Sequence, residues 1–374
     1  MSPVLAPAAG SLLLRRGALA AALVASVASG CLRASSPAEQ GWLNLDAPCE
    51  GTGSLCLVPL AQGQATNGTL AIGGERVYFD TIGSVVAMPL QGGAITTVAS
   101  TSGTVTSLAA DSRNVYFTSD PVDSNSSSCG GVGPGVAPIG GAPCTSQTLG
   151  PGDVSSVPFA GGAVTTLASS QNDARLVAVD STSVYWTRDA PSNPDGGLPG
   201  PDALISVPIG GGVATTLASG FDDIHTAVDS HNVYSCGFQG TLLQQPFGGA
   251  PITLAQLDDQ ATAIAVDQAN VYVATLDDDL YAVPIGGGTV ATLLQGEAVT
   301  SLGSDGANLY LGGTGGLMQM SVDGGPVTTF DRVWVTALAV GDAGVVWLDW
   351  VAGPSASSPG TYELWSLSST AGSP

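Results

Sequence analysis

The sequence predicts an all-β chain folded as a seven-bladed β-propeller, each blade a sheet of four antiparallel strands. Three observations predict it. One phrase recurs seven times: a small-apolar run ending in Ala-Val-Asp, a polar turn, Val-Tyr-aromatic-Thr, Val-Pro-apolar, Gly-Gly, then Thr-Thr-Leu-Ala-Ser. Its Tyr or Trp marks fall at Tyr78, Tyr116, Tyr185, Tyr234, Tyr272, Tyr310 and Trp347, and four of the six gaps are 37 or 38 residues. The apolar segments of residues 55–367 are all short, and none carries a 3.6-residue period. A repeat of this length built only from strands is the signature of propeller blades, with six or eight blades as the alternatives to seven.

Each phrase divides into four strands. In the third repeat they are residues 176–180, 184–187, 204–209 and 213–218, rich in Val, Ile, Thr and aromatics and bounded by Gly, Asp, Asn and Ser. The first hairpin opens on Asp111, Asp180, Asp229, Asp267 or Asp305, whose carboxylate can accept backbone N–H groups further along the turn. The third and fourth strands are joined by Gly pairs or triplets such as Gly92-Gly93 and Gly210-Gly211-Gly212, which supply positive φ. The first strands are rich in Ala, Ser and Thr, as the crowded axis of a propeller demands. The seventh repeat lacks a fourth strand. Residues 55–61 (Leu-Cys-Leu-Val-Pro-Leu-Ala) are predicted to supply it, closing the last blade from the N-terminal side and removing a free sheet edge.

Residues 1–30 stand apart. Arg15-Arg16 precede an apolar stretch from Gly17 to Val27 and then Ala28-Ser29-Gly30-Cys31, the pattern of a signal peptide, and the stretch is too short to span a bilayer comfortably. Ala-Ser-Gly-Cys resembles the lipobox of bacterial lipoproteins. By that resemblance Cys31 becomes the lipidated first residue, with residues 31–48 as a tether and 49–374 as a single propeller domain; simple secretion with an incidental Cys31 is the alternative.

The chain has no lysine and a formal charge of −22, and loss of Arg15 and Arg16 leaves a mature chain near −24. That excludes nucleic acid as a partner and a polybasic grip on anionic lipid, leaving membrane association to a lipid anchor alone. Cys49 with Cys56, and Cys129 with Cys144, lie close enough in sequence to pair as disulfides in an oxidising compartment. Cys236 is left over and reads as a buried apolar residue.

Insertions fall between second and third strands, at 121–153, 189–202 and 352–361. In a propeller those loops share a face with the connections between blades, which carry Asp173, Asp222, Asp223, Asp258, Asp259, Glu297 and Asp331. Asp277-Asp278-Asp279 joins them from a second-to-third loop, and His225 stands near the same channel mouth. One face is thus expected to bear a partial acidic ring. Ca²⁺ is the cation such oxygens would suit, but no Asp-x-Asp-x-Asp-Gly loop occurs, so no cofactor is assigned and solvated loop acids are the alternative. Catalytic signals are few. The histidines are His225 and His231 alone, no Gly-x-Ser-x-Gly is present, and the glycine runs precede no helix.

Val184-Tyr185-Trp186-Thr187 after Val179-Asp180, with Val115-Tyr116-Phe117-Thr118 as a looser copy, resembles the YWTD repeat of low-density-lipoprotein-receptor propellers over about residues 66–367. That resemblance implies a propeller whose face binds protein and does no chemistry. The motif's last Asp is Arg188 here and Ser119 in the second repeat, and those receptors have six blades, so their ligands do not carry over. The whole pattern also resembles secreted propeller lipoproteins of bacteria, of unknown function. Two functional classes follow. One is a non-enzymatic, lipid-anchored binding or scaffolding protein of the bacterial envelope (outer-membrane, periplasmic or cell-surface), with a protein or glycan ligand on the acidic face. The other is a metal-assisted hydrolase or lactonase at the channel mouth.

Overall fold

Seven four-stranded antiparallel sheets repeat along the computed structural model. It describes residues 30–31, 55–64, 68–81, 83–101, 103–121, 152–171, 174–188, 202–221, 225–237, 239–247, 249–330, 334–341, 343–351 and 361–369. From the innermost strand outward, blade one is Leu70–Gly73, Arg76–Thr81, Ser84–Pro89 and Thr96–Ser100. Blade four is His225–Val228, Asn232–Cys236, Thr241–Pro246 and Ile252–Gln256, and blade five is Ala261–Val266, Asn270–Thr275, Asp279–Pro284 and Ala291–Gln295. No helix occurs among the described residues. The third repeat, read as 176–180, 184–187, 204–209 and 213–218, forms Ala174–Val179, Ser183–Arg188, Asp202–Pro208 and Thr215–Phe221.

Blade seven closes as predicted. Val335–Gly341, Gly344–Val351 and Thr361–Ser369 are followed in the sheet by Leu55–Gln64, with Leu57 opposite Leu367 and Val58 opposite Ser366. The strand runs three residues beyond the 55–61 anticipated. Gly30–Cys31 adds a short antiparallel bridge on its outer side, Cys31 opposite Cys56. The rest of residues 1–54 lies outside the described residues.

The core lies between blades. Val77, Phe79 and Met88 of blade one pack with Val346, Leu348 and Leu364 of blade seven. Tyr185 of blade three stacks on Phe247 of blade four, ring centres 5.2 Å apart. Innermost strands of adjacent blades approach closely. A Cβ on Gly303 would lie 2.4 Å from Cγ2 of Val340, so the small residues at the axis are a packing requirement. Hydroxyls also cross the blades: Thr106 Oγ1 donates to the carbonyl of Ala174 (3.1 Å), and Thr262 Oγ1 to that of Val299 (2.6 Å).

The Gly pairs close the outer hairpins. In blade three Gly211 N–H donates to Pro208 C=O (2.8 Å), with φ of +81° at Gly211 and +146° at Gly212. One mark of the repeat moves by a residue. In blade five Ala265 faces Tyr272, whereas in blade seven the matching Ala339 faces Val346, and Trp347 points the other way, stacked on Trp365 beside Tyr310. Val340 faces Val345 just as Val266 faces Val271, so the register is unchanged and the aromatic has moved one position along the strand, onto its other side.

Candidate functional site

Antiparallel order puts every innermost strand's start, every connection between blades and every second-to-third loop on one face. The strand ends Pro121 and Gly152, Arg188 and Asp202, and Val351 and Thr361 open the three insertions toward it. The insertions themselves lie outside the described residues, as do Asp173, Asp222, Asp223 and Asp331.

The acids that are described gather where blades four, five and six meet. Asp259 precedes the innermost strand of blade five, and its Oδ1 accepts the N–H of Gln260 (2.7 Å). Asp278 has φ of +64°; its N–H donates to Thr275 C=O (3.1 Å) and its C=O accepts the N–H of Glu297 (3.0 Å), tying the two acidic loops together. Tyr281 Oη donates to Asp279 Oδ2 (3.1 Å). The phenol's pKa is raised, first by burial, then by its bond to Asp279 and by the fields of Asp279, Asp258 and Asp277. Three carboxylates therefore act on one ring. Leu276 stands exposed among them. The corner is an anionic surface with an apolar point, fitted to a cationic or hydrogen-bonding partner.

His225 opens the innermost strand of blade four, directly opposite Cys236. Burial lowers its pKa, so the ring is neutral at pH 7. Cys236 is buried and free, and its sulfur accepts the N–H of Ala261. Burial pushes the thiol up to about 11, which leaves it protonated and inert. Among the described residues no three His, Cys, Asp or Glu side chains are grouped to hold a metal. Cys49, Cys129 and Cys144 lie outside the described residues, and only the backbone of Cys31 and Cys56 is described.

Sequence reasoning missed a cavity of about 160 Å³ in blade four, lined by Ser235, Gly237, Gln239, Thr241 and Leu243. It sits at the second-to-third connection, on the same face as the acids. Thr241 Oγ1 is oriented by a 2.8 Å bond to Gln256 Oε1. One feature signals it in hindsight: this repeat has Ser235 where the third repeat has Trp186. Asp80 was missed as well. It is fully buried, and its Oδ1 accepts both the N–H (3.1 Å) and the hydroxyl (2.9 Å) of Thr69, fixing the entry of the chain into blade one. Trp350 packs edge-on against Tyr362, whereas Trp334 is exposed.

These features define a seven-bladed β-propeller with a loop-bearing acidic face. No protein-family model matches the sequence, and no curated protein sequence matches it. Solved structures do. The computationally designed protein Ika8 aligns with a TM-score of 0.55 at 16% identity, over 84% of this chain and 100% of that one. The WD40 β-propeller domain of Doa1 aligns at 0.55 and 11% identity, over 84% and 97%. The acylaminoacyl peptidase of Pyrococcus horikoshii aligns at 0.55 and 10% identity, over 79% of this chain and 50% of the peptidase. At these identities the likeness is one of fold.

Proposed function

We propose that the protein is a non-enzymatic, lipid-anchored binding or scaffolding module of the bacterial cell envelope, and that its ligand, a protein or glycan, docks on the loop-bearing face. The observation that carries this is convergence. Three insertions and the acidic loops of Asp258, Asp277–Asp279 and Glu297 open on one face, while the other carries tight hairpins. Variable loops on a rigid scaffold are where recognition resides. The shallow open pocket by Ser235 and Thr241 lies on the same face and offers hydroxyl groups beside Leu243. The likeness to a WD40 propeller supports a propeller fold for the module and leaves its ligand open. The test is recovery of the native protein, cross-linked, with its envelope partners. Asp258→Asn, Asp277→Asn and Asp279→Asn together should abolish capture of a specific partner and leave folding intact. Undiminished capture by that variant would refute the acidic face as the binding site.

A further inference from the structure

We propose that Asp323, in the outer hairpin of blade six, is a site of spontaneous isoaspartate formation, and that the tyrosine-bonded turn aspartates are protected from it. Among the described residues two aspartates precede glycine, Asp305 and Asp323. Glycine has no Cβ to shield its nitrogen, so that nitrogen can attack the preceding side-chain carboxyl. Exposure does not separate the two, since both are exposed. Nor does the nitrogen: Gly306 N–H donates to Ser304 Oγ and Gly324 N–H to Ser321 C=O, each at 3.0 Å. The carboxylates differ. Oδ1 of Asp305 accepts the N–H groups of Ala307 (2.9 Å) and Asn308 (2.7 Å), and Oδ2 accepts Nδ2 of Asn308 (3.2 Å) and the phenol of Tyr310 (3.0 Å). Among the described residues no hydrogen bond reaches the carboxylate of Asp323; its own N–H donates to Ser321 Oγ (3.3 Å).

The reaction needs a neutral carboxyl and a side chain free to rotate. The nitrogen of Gly324 bonds to Cγ of Asp323, the Cγ–OH bond breaks, and the hydroxyl leaves with the amide proton as water. Water then opens the five-membered imide. Addition at Cγ restores aspartate. Addition at the main-chain carbonyl carbon leaves the chain running through Cβ and Cγ, at unchanged mass. At Asp305 four bonds must break before Cγ can turn toward Gly306. Burial raises that carboxyl, but the same bonds together hold it below the ordinary range and keep it ionised. Asp111, Asp180 and Asp229 precede serine, whose small side chain also permits ring closure, and each is held by turn N–H groups and a tyrosine in the same way. The hairpin of Asp323 is also weakly anchored. Its outer strand, Thr328–Thr329, has 2 residues, against 5 to 7 in blades one to five. So short a ladder opens at low cost and lets the turn reach the cyclising geometry.

The test ages the folded protein in mildly acidic buffer and reads isoaspartate residue by residue, by digestion and electron-transfer fragmentation. A parallel sample unfolded in guanidinium chloride gives each site's intrinsic rate. In the unfolded chain Asp305 and Asp323 should react alike, and folding should slow Asp305 about tenfold more than Asp323. Tyr310→Phe, with its fold intact by circular dichroism, should raise the rate at Asp305 and leave that at Asp323 unchanged. Equal slowing at the two sites, or an Asp323 that folding silences, overturns the proposal. An unchanged Asp305 rate in Tyr310→Phe overturns protection by the tyrosine. None of these outcomes depends on what binds the loop-bearing face.

Discussion

The phenol of Tyr234 donates to Oδ2 of Asp229 at 2.7 Å, while Oδ1 of the same carboxylate holds the N–H groups of His231 and Asn232, each at 2.7 Å. The same clasp recurs as Asp111–Tyr116, Asp180–Tyr185, Asp267–Tyr272 and Asp305–Tyr310, at 2.7–3.0 Å. It joins the first hairpin of each blade to the ring that packs against the next one. Blade one has no such acid: Gly73 stands in its place, Phe159 fills the space and stacks on Tyr78, and Tyr78 Oη is buried without a hydrogen-bond partner among the described residues.

Removing the phenol should therefore have opposite consequences in two blades. Tyr234→Phe leaves a half-buried carboxylate short of a donor and should cost about 1 kcal/mol. Tyr78→Phe removes an unsatisfied hydroxyl and should be neutral or slightly stabilising. Chemical denaturation of the two variants checks this; equal losses would contradict the clasp as a stabilising unit.

Stability should fall at both ends of the pH scale. Burial, then the neighbouring carboxylate, pushes Tyr116, Tyr185 and Tyr272 up to about 12. An unfolded tyrosine ionises near 10, so between about pH 10 and 12 the unfolded chain sheds protons that the folded chain keeps. Stability that is complete below pH 10 drains through that window, each tyrosine adding up to about 1.4 kcal/mol per pH unit. At the acid end burial raises Asp180, Asp229 and Asp305, but the bonds from turn N–H groups and tyrosines together hold them below the ordinary carboxyl range. Their contribution is present above pH 4 and is lost as pH falls through the lowered values. Denaturant midpoints from pH 2 to 12 check both limbs; a flat alkaline limb would contradict the burial of these phenols.

Packing at the axis gives a third expectation. Gly303→Ala drives a methyl into Val340 and should cost about 1–3 kcal/mol, with part of the loss recovered in the double variant with Val340→Ala. Additive losses in the cycle would show that the two residues do not touch.

Much of this architecture was legible in the residues. The repeat period gave the blade count, the Gly pairs gave the outer hairpins, and Leu55 to Ala61 read as the missing strand because the last repeat lacked one. The turn aspartates were recognised as N–H acceptors, but their second oxygen's partner was not. A Tyr five residues on meets the Asp only once the hairpin is folded. Trp347 differs for another reason: the hairpin keeps its register, but the aromatic stands one position later than Tyr272 does in blade five and so faces blade six, and identity alone does not reveal phase. The pairing of His225 with Cys236 and the cavity by Ser235 depend on register and loop length across strands, which local patterns do not encode.

Hydrogen exchange along residues 55–64 tests the closed ring most directly. Held between blade seven and the chain's entry, its paired amides should exchange only with global unfolding, as slowly as those of Gly344–Val351 in the same sheet. Exchange of the whole segment within seconds, while the rest of blade seven stays protected, would mean that the ring is not sealed there.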